Sequence, residues 1–175
     1  MTPEVDRLVA LEAIRTLPLR YAAAIERRDV DAMVDLFSPA ARFGRWGDGE
    51  AGLRSLMAEM MASSVFAVIL VANHLINLTE PGRAEGEVWA RCYAQDRTGG
   101  FVEQLIKYED TYEVVDGAWR FLRRRHRLWF GATAASSPLE QPPAAWPRSQ
   151  VGVGDIPLAD PDFVTWYEAL GGDDA

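Results

Sequence analysis

The hydrophobic positions of the first 63 residues recur at helical spacing. Apolar residues three and four apart predict a helix over residues 5–27, with one face formed by Leu8, Leu11, Ile14, Leu17, Tyr21 and Ile25. Pro18 lies inside this segment. A proline has no amide hydrogen to donate to the carbonyl of Ile14, so we expect a kink or a helix break there.

Two further helices are expected before the pattern changes. Asp29 can act as the N-cap of a helix that runs through Phe37, and a Met-rich helix is predicted over residues 53–63. Between them, residues 41–46 form a short strand candidate and residues 47–52 a loop.

From residue 64 onward the pattern is that of strands. Residues 65–71 are apolar and β-branched, and they continue into an alternating run at 73–79. Three more strands are predicted over residues 85–95, 101–115 and 118–130. Asp116-Gly117 is a strong signal for a tight hairpin turn. Helices followed by consecutive antiparallel strands indicate an α+β fold.

The character of the chain changes again after Gly131. Residues 132–161 contain most of the prolines and show little periodicity, so we expect a domain over residues 1–131 and a Pro-rich extension over 132–175. A short amphipathic helix is predicted near the end, with the apolar residues Phe163, Trp166, Tyr167 and Leu170. Such a helix would dock on the mouth of its own barrel or on a neighbouring subunit.

The hairpin turn fixes which side chains share a face of the sheet. A two-residue turn pairs Val115 with Ala118, and the register then continues residue by residue. One face holds Ile106, Tyr108, Asp110, Tyr112 and Val114 opposite Arg127, Arg125, Arg123, Phe121 and Trp119. The opposite face is mostly charged and includes His126, so we assign it to solvent. The prediction therefore places an Asp110–Arg123 pair inside, unless a β-bulge inverts the register.

Composition narrows the classes of partner. The net charge is −8, which argues against nucleic acid and anionic membranes, because phosphates are bound by an excess of Lys and Arg. The single cysteine, Cys92, fits a reducing cytoplasm, and the acidic N-terminus has no apolar core typical of a signal peptide. Neither zinc-ligand spacing nor a nucleotide-binding glycine motif is present, so no cofactor is expected.

His74 is the main candidate for proton chemistry. It lies on the apolar face of its predicted strand with Ile76 and Leu78. A histidine in that position is either a satisfied core residue or a base in a hydrophobic pocket. The pair Asp110–Arg123 likewise is either a structural ion pair or a group that orients a substrate.

The order of elements and two sequence segments resemble the cone-shaped NTF2-like superfamily. The segments are the opening RLVALEAIRTLPLRYAAAIERRDVDAMVDLF and the ending VVDGAWRFLRRRHRLWF, and the resemblance covers roughly residues 5–131. The SnoaL-like branch of this superfamily includes scytalone dehydratase, hexachlorocyclohexane dehydrochlorinase and bile-acid 7α-dehydratase. The resemblance implies three N-terminal helices packed on a bent antiparallel sheet that forms an α+β cone.

The resemblance also implies a function and a set of site residues. It places the catalytic histidine at His74, its supporting acid at Glu26 and the helix tyrosine at Tyr21, with Asp110 as a possible second acid. The expected substrate-binding residues are Tyr108, Arg123, Cys92, Trp119 and Phe121. The implied activity is that of a cofactor-independent lyase or isomerase acting on a small hydrophobic cyclic molecule such as a polyketide, steroid or terpenoid.

Two alternatives stay open at this point. The first is a non-catalytic ligand-binding or assembly module, and the second is the small subunit of a ring-hydroxylating oxygenase. Because exposed sheet faces in this fold are commonly covered by another subunit, a homodimer or homotrimer is expected.

Overall fold

In the computed structural model, which describes residues 2–154, 161 and 165, three helices precede a four-stranded sheet. The helices are α1 (Pro3–Arg27), α2 (Val30–Val34) and α3 (Gly49–Ser63), and the strands are β1 (Ser64–Glu80), β2 (Arg83–Asp96), β3 (Phe101–Val115) and β4 (Ala118–Thr133). The sheet is antiparallel throughout, in the order β1-β2-β3-β4. The expected α+β class is confirmed.

Of the kink or break expected at Pro18, the break is wrong, because helix α1 runs without interruption through this residue. The side chains of Ile14, Leu17 and Pro18 are all buried against the sheet. A proline inside a helix costs about 3 kcal/mol. Burial of this apolar face offsets that cost, because each fully buried Ile or Leu side chain contributes about 1.5–3 kcal/mol.

The segment between α1 and α3 differs from the prediction in detail. Asp29 caps α2 as expected, since its side chain accepts a hydrogen bond from the Ala32 amide at 2.9 Å. Residues 41–46 form no strand. They contain a single bridge between Arg42 and Asp48 and a 3₁₀ turn at Gly44–Trp46. Helix α3 begins four residues earlier than predicted, at Gly49.

The hairpin between β3 and β4 is confirmed. Asp116 and Gly117 both have positive φ, of 51° and 79°, as a type I′ turn requires. The pairs Val115–Ala118, Val114–Trp119, Glu113–Arg120 and Tyr112–Phe121 then follow the predicted register.

A β-bulge at Leu122 changes which side chains point inward. Thr111 pairs with Arg123 rather than with Leu122, and Asp110 therefore lies opposite Arg124. Because successive side chains alternate between the two faces, one extra residue inverts every later assignment on β4. The predicted pair Asp110–Arg123 is wrong, since Asp110 binds Arg124 instead.

His126 is also moved to the inner face by this bulge, so its predicted face is wrong, although its side chain is exposed as expected. It lies opposite Tyr108, and the two rings stack with centroids 5.5 Å apart.

The inner face of the sheet packs on α1. The core there includes Ile14, Leu17, Met33, Leu36, Tyr112 and Phe121. The outer face carries several exposed apolar side chains, and Trp129 is 70% exposed beside Trp89 at 5.6 Å. Trp129 points outward because the bulge at Leu122 has already exchanged the two faces of β4 before this position. No helix among the described residues is long and apolar enough to cross a membrane.

The start of the extension is attached to the sheet. The Ala134 amide donates to the Phe101 carbonyl at 2.8 Å, and the Ser137 hydroxyl donates to the Gln95 side chain at 2.6 Å. Leu139 packs against the cluster formed by Phe66 and Phe101. The helix predicted over residues 163–170 lies outside the described residues, apart from position 165.

Candidate acid–base site

A buried ion pair forms the centre of the inner face. Arg124 donates from Nε to Asp110 Oδ1 at 3.0 Å and from a terminal nitrogen to Oδ2 at 2.7 Å. The side chains are 5% and 0% exposed, respectively. Bidentate contact of this kind holds both planar groups in one orientation. Strands β3 and β4 therefore present a fixed carboxylate to the residues around it.

Aromatic rings enclose the guanidinium of Arg124. Its central carbon lies 4.5 Å from the ring centroid of Tyr21 and 4.3 Å from those of Tyr108 and Phe121. A cation over a ring face is stabilised by the ring quadrupole, most strongly where water is excluded. The rings of Tyr21 on α1 and Tyr108 on β3 therefore both contact the same positively charged group.

Tyr112 links Asp110 to His74. The Tyr112 hydroxyl donates to Asp110 Oδ2 at 2.9 Å, and its oxygen lies 3.1 Å from Nε2 of His74. Burial raises the pKa of Tyr112 well above its usual range, and the neighbouring Asp110 charge raises it further. The hydroxyl therefore keeps its proton at physiological pH.

This chain of bonds fixes the tautomer of His74. A carboxylate paired with arginine only accepts hydrogen bonds, so the single Tyr112 proton goes to Asp110. His74 Nε2 must then be the donor to the Tyr112 oxygen. In a neutral imidazole the other nitrogen carries a lone pair, and Nδ1 of His74 is buried without a hydrogen-bond partner. The network thus leaves one unpaired basic nitrogen on the inner face.

The surroundings of His74 keep the imidazole neutral. Burial lowers the pKa of His74 from 6.5 to about 4, Asp110 opposes this change, and the charges of Arg124 and Arg15 add to it. At neutral pH the ring is therefore uncharged and Nδ1 can accept a proton or a hydrogen bond.

The lowered pKa of His74 predicts a dependence of stability on pH. Between pH 6.5 and about 4 the unfolded chain binds a proton at this residue and the folded protein does not. Its contribution to the free energy of unfolding is present above pH 6.5 and is lost as the pH falls toward 4. We expect His74→Gln to flatten this part of the curve, as measured by urea unfolding between pH 7.5 and 4.5. Equal slopes for the variant and the parent would contradict the assignment.

A second cluster of polar atoms lies beside the ion pair. The Tyr21 and Tyr108 rings meet edge to face at 6.0 Å. Burial raises the pKa of both tyrosines and raises that of the buried Cys92 thiol to about 11. The three groups therefore stay protonated near pH 7, so none of them acts as a base at this pH. The wall around them is apolar and consists of Val88, Ala90 and Ile106.

The structure does not bring Glu26 to His74, so the predicted contact between them is wrong. Glu26 is exposed near the end of α1. The neighbouring Arg28 donates to the carbonyls of Met61 at 2.6 Å and Val65 at 3.1 Å, which anchors this end of α1 at the start of β1. The α1 residue whose charge affects the pKa of His74 is Arg15, eleven residues or about 16 Å before Glu26 along the helix. The carboxylate connected to His74 is Asp110, through Tyr112.

The predicted substrate-binding residues are divided among three environments. Tyr108 and Cys92 are on the inner wall, as expected. Phe121 is completely buried in the core, and Trp119 packs half-buried at the edge of the same cluster. Arg123 is exposed on the outer face, where it lines a groove of about 420 Å³ with Glu85 and Thr111, so its predicted inward position is wrong.

Sequence reasoning assigned no role to two residues of the network. Strand alternation placed Tyr112 on the inner face, two positions from Asp110. That spacing could have indicated a contact between the two side chains. Arg124 carried no such signal, because its inward position depends on the bulge. Among residues 2–154, 161 and 165, no group of three His, Cys, Asp or Glu side chains could hold a metal ion.

The chain is similar to several known proteins. The SnoaL-like domain family matches residues 6–125. No curated protein matches the chain in sequence. A hexachlorocyclohexane dehydrochlorinase from Novosphingobium barchaimii superposes with a TM-score of 0.70 at 19% identity, over 75% of this chain and 94% of that one. A putative scytalone dehydratase from Novosphingobium aromaticivorans gives 0.65 at 17% identity, over 75% and 91%.

One similar structure also spans the extension. A protein of unknown function from Mycobacterium tuberculosis superposes with a TM-score of 0.63 at 19% identity, over 98% of this chain and 90% of that one. At these identities the structures show a shared fold, which is the NTF2-like cone. With the family match over residues 6–125, they establish that the chain belongs to the SnoaL-like family.

Proposed function

We propose that the protein catalyses cofactor-independent acid–base chemistry, as a lyase or isomerase, on a small hydrophobic cyclic molecule. The observation that carries the proposal is the unpaired Nδ1 of His74 at the end of the Arg124–Asp110–Tyr112 network. A neutral imidazole with one nitrogen held by a hydrogen bond and the other unpaired has the form of a general base.

In this mechanism Nδ1 of His74 takes a proton from a carbon atom of the substrate. The imidazolium that forms is stabilised through Nε2–H, the Tyr112 hydroxyl and the Asp110 carboxylate, much as a carboxylate stabilises the histidine of a catalytic triad. The proton then returns to another carbon in an isomerisation, or the electron pair expels a leaving group in an elimination.

The low pKa of His74 restricts the substrate. A base with a pKa of about 4 is weak, so it removes only a proton that is already activated. A carbon next to a carbonyl meets this condition when the developing oxyanion receives hydrogen bonds. The hydroxyls of Tyr21 and Tyr108 are suitable donors, because both stay protonated and both rings lie over the Arg124 charge.

The apolar inner wall supports a hydrophobic ring as the substrate. Val88, Ala90 and Ile106 offer no hydrogen-bonding groups in their side chains, and Cys92 is small and neutral. A substrate reaches Nδ1 only when the groups that cover it move aside, since this atom is shielded from solvent.

The proposal can be tested with 1-tetralone, a bicyclic ketone, as a probe of proton abstraction. In D₂O the protein should accelerate exchange of the protons next to the carbonyl, as followed by ¹H NMR. His74→Ala should reduce exchange to the buffer rate, because a positioned general base contributes about 10²–10⁴-fold. His126→Gln is the matched control, since the second histidine stacks on Tyr108 but does not belong to the His74–Tyr112–Asp110 network, and it should retain most of the exchange.

Circular dichroism and thermal unfolding would show whether each variant is folded. A folded His74→Ala variant with full exchange activity would end the proposal. Exchange that depends on His126 instead would also contradict it.

A non-catalytic ligand-binding module is the second candidate, and two observations favour it. Glu26 is exposed, and Nδ1 of His74 is enclosed. A ligand with an N–H or O–H group would then satisfy Nδ1 without any proton transfer. If 1-tetralone shifts the resonances of inner-face residues but its protons exchange at the buffer rate, this function is supported over catalysis.

A further inference from the structure

Gly86 on β2 lies next to the His74–Tyr112 hydrogen bond, and its lack of a side chain leaves room for that bond. It lies opposite Ile76 on β1 and Asp110 on β3. A Cβ atom added at Gly86 would lie 3.1 Å from Nε2 of His74 and 3.0 Å from Cε2 of Tyr112. It would also lie 3.0 Å from the Leu75 carbonyl oxygen.

These distances are shorter than ordinary contacts of a methyl group, so one or more neighbours would have to move. The Leu75 carbonyl belongs to the backbone of β1, which is tied to β2 by sheet hydrogen bonds. The side chains of His74 and Tyr112 can rotate more easily. The distance of 3.1 Å between His74 Nε2 and the Tyr112 oxygen is already near the upper end of the usual hydrogen-bond range, so a small rotation would break the bond.

No turn requires the glycine. Gly86 is in the middle of a regular strand, where glycine weakens pairing and commonly marks a close approach of other atoms. Its φ is not among the positive values found in this chain, so backbone strain does not explain it.

We propose that Gly86 is a positioning residue that fixes the tautomer of His74. By leaving space above β2, it lets Nε2 reach the Tyr112 oxygen, and this contact determines that Nδ1 carries the lone pair. The inference rests on the proposed function, because the tautomer matters most if Nδ1 is the base.

The test is ¹⁵N NMR of the imidazole rings in the full-length protein at pH 7. In the parent protein His74 should show one tautomer, protonated at Nε2. In Gly86→Ala the hydrogen bond is broken or lengthened, so this fixed tautomer should be lost and the two nitrogens should move toward averaged shifts. The same variant should lose most of the exchange activity toward 1-tetralone.

Gly131→Ala is the matched control. Gly131 is also a strand glycine on the inner face of the sheet, but an added Cβ would meet no atom closer than 3.8 Å. This variant should keep the parent tautomer and the parent activity. A merely general effect of alanine in a strand would appear in both variants.

The outcomes separate the two proposals. If Gly86→Ala keeps the parent tautomer, the positioning role is overturned and the proposed base is unaffected. If His74 of the parent protein is protonated at Nδ1, the proposed base atom is wrong. If Gly86→Ala does not fold, Tyr112→Phe provides the second test. This variant lacks the oxygen that accepts from His74 Nε2, so both tautomers of His74 should become populated. An unchanged tautomer in Tyr112→Phe would overturn the role of Gly86.

Discussion

Replacement of Arg124 by methionine is expected to lower the free energy of unfolding by about 3–5 kcal/mol. The variant keeps the packing of an unbranched side chain but leaves the Asp110 carboxylate charged and unpaired in the core, which costs this amount for buried pairs. Urea unfolding at pH 7 measures the loss. Arg123→Met is the matched control, because the adjacent arginine is exposed and its replacement should change stability by about 0.5 kcal/mol or less.

The double variant Asp110→Leu with Arg124→Met gives an additional check. Removal of both charges should cost less than removal of Arg124 alone, because no unpaired charge stays behind. Equal losses for Arg123→Met and Arg124→Met would contradict the observed register of β4.

The second large effect is expected for Phe121→Ala, at about 3–5 kcal/mol. Phe121 is fully buried, and its ring lies 5.1 Å from that of Phe37 and 5.3 Å from that of Tyr112. Truncation would open a cavity beside the Arg124 guanidinium, since this group also packs on the Phe121 ring.

Phe130→Ala is the control for this experiment. Phe130 is on the same strand but is 48% exposed on the outer face, so its truncation should cost less than about 1 kcal/mol. Both variants replace phenylalanine by alanine, and both are unfolded with the same denaturant. A loss at Phe130 as large as that at Phe121 would show that the core is not where the structure has it.

Most of the fold could be predicted because its elements follow simple periodicities. Strand β3 was predicted with its observed bounds, and the Asp116-Gly117 turn fixed the first four pairs of the hairpin. The alternation around His74 correctly placed that residue on the inner face with Ile76 and Leu78. The break considered at Pro18 does not occur, because local propensity was outweighed by the burial of its neighbours.

The site could be predicted only in part. Residues up to Phe121 were assigned to the correct face, and Asp110 and Tyr112 were among them. The partner of Asp110 could not be identified, because Leu122 gives no sign of a bulge in a sequence without glycine at that point. The position of Glu26 was transferred by resemblance, and only the packing of α1 along β1 could show its distance from His74.

The bulge at Leu122 has a consequence for how this strand tolerates changes of register during evolution. If all residues stayed and β4 were regular at position 122, Arg123 instead of Arg124 would lie opposite Asp110. Because Arg123, Arg124 and Arg125 follow one another, a guanidinium faces the buried acid with or without the bulge. The ion pair can therefore survive loss of the bulge, and alignments of distant homologues should match the arginine that points inward.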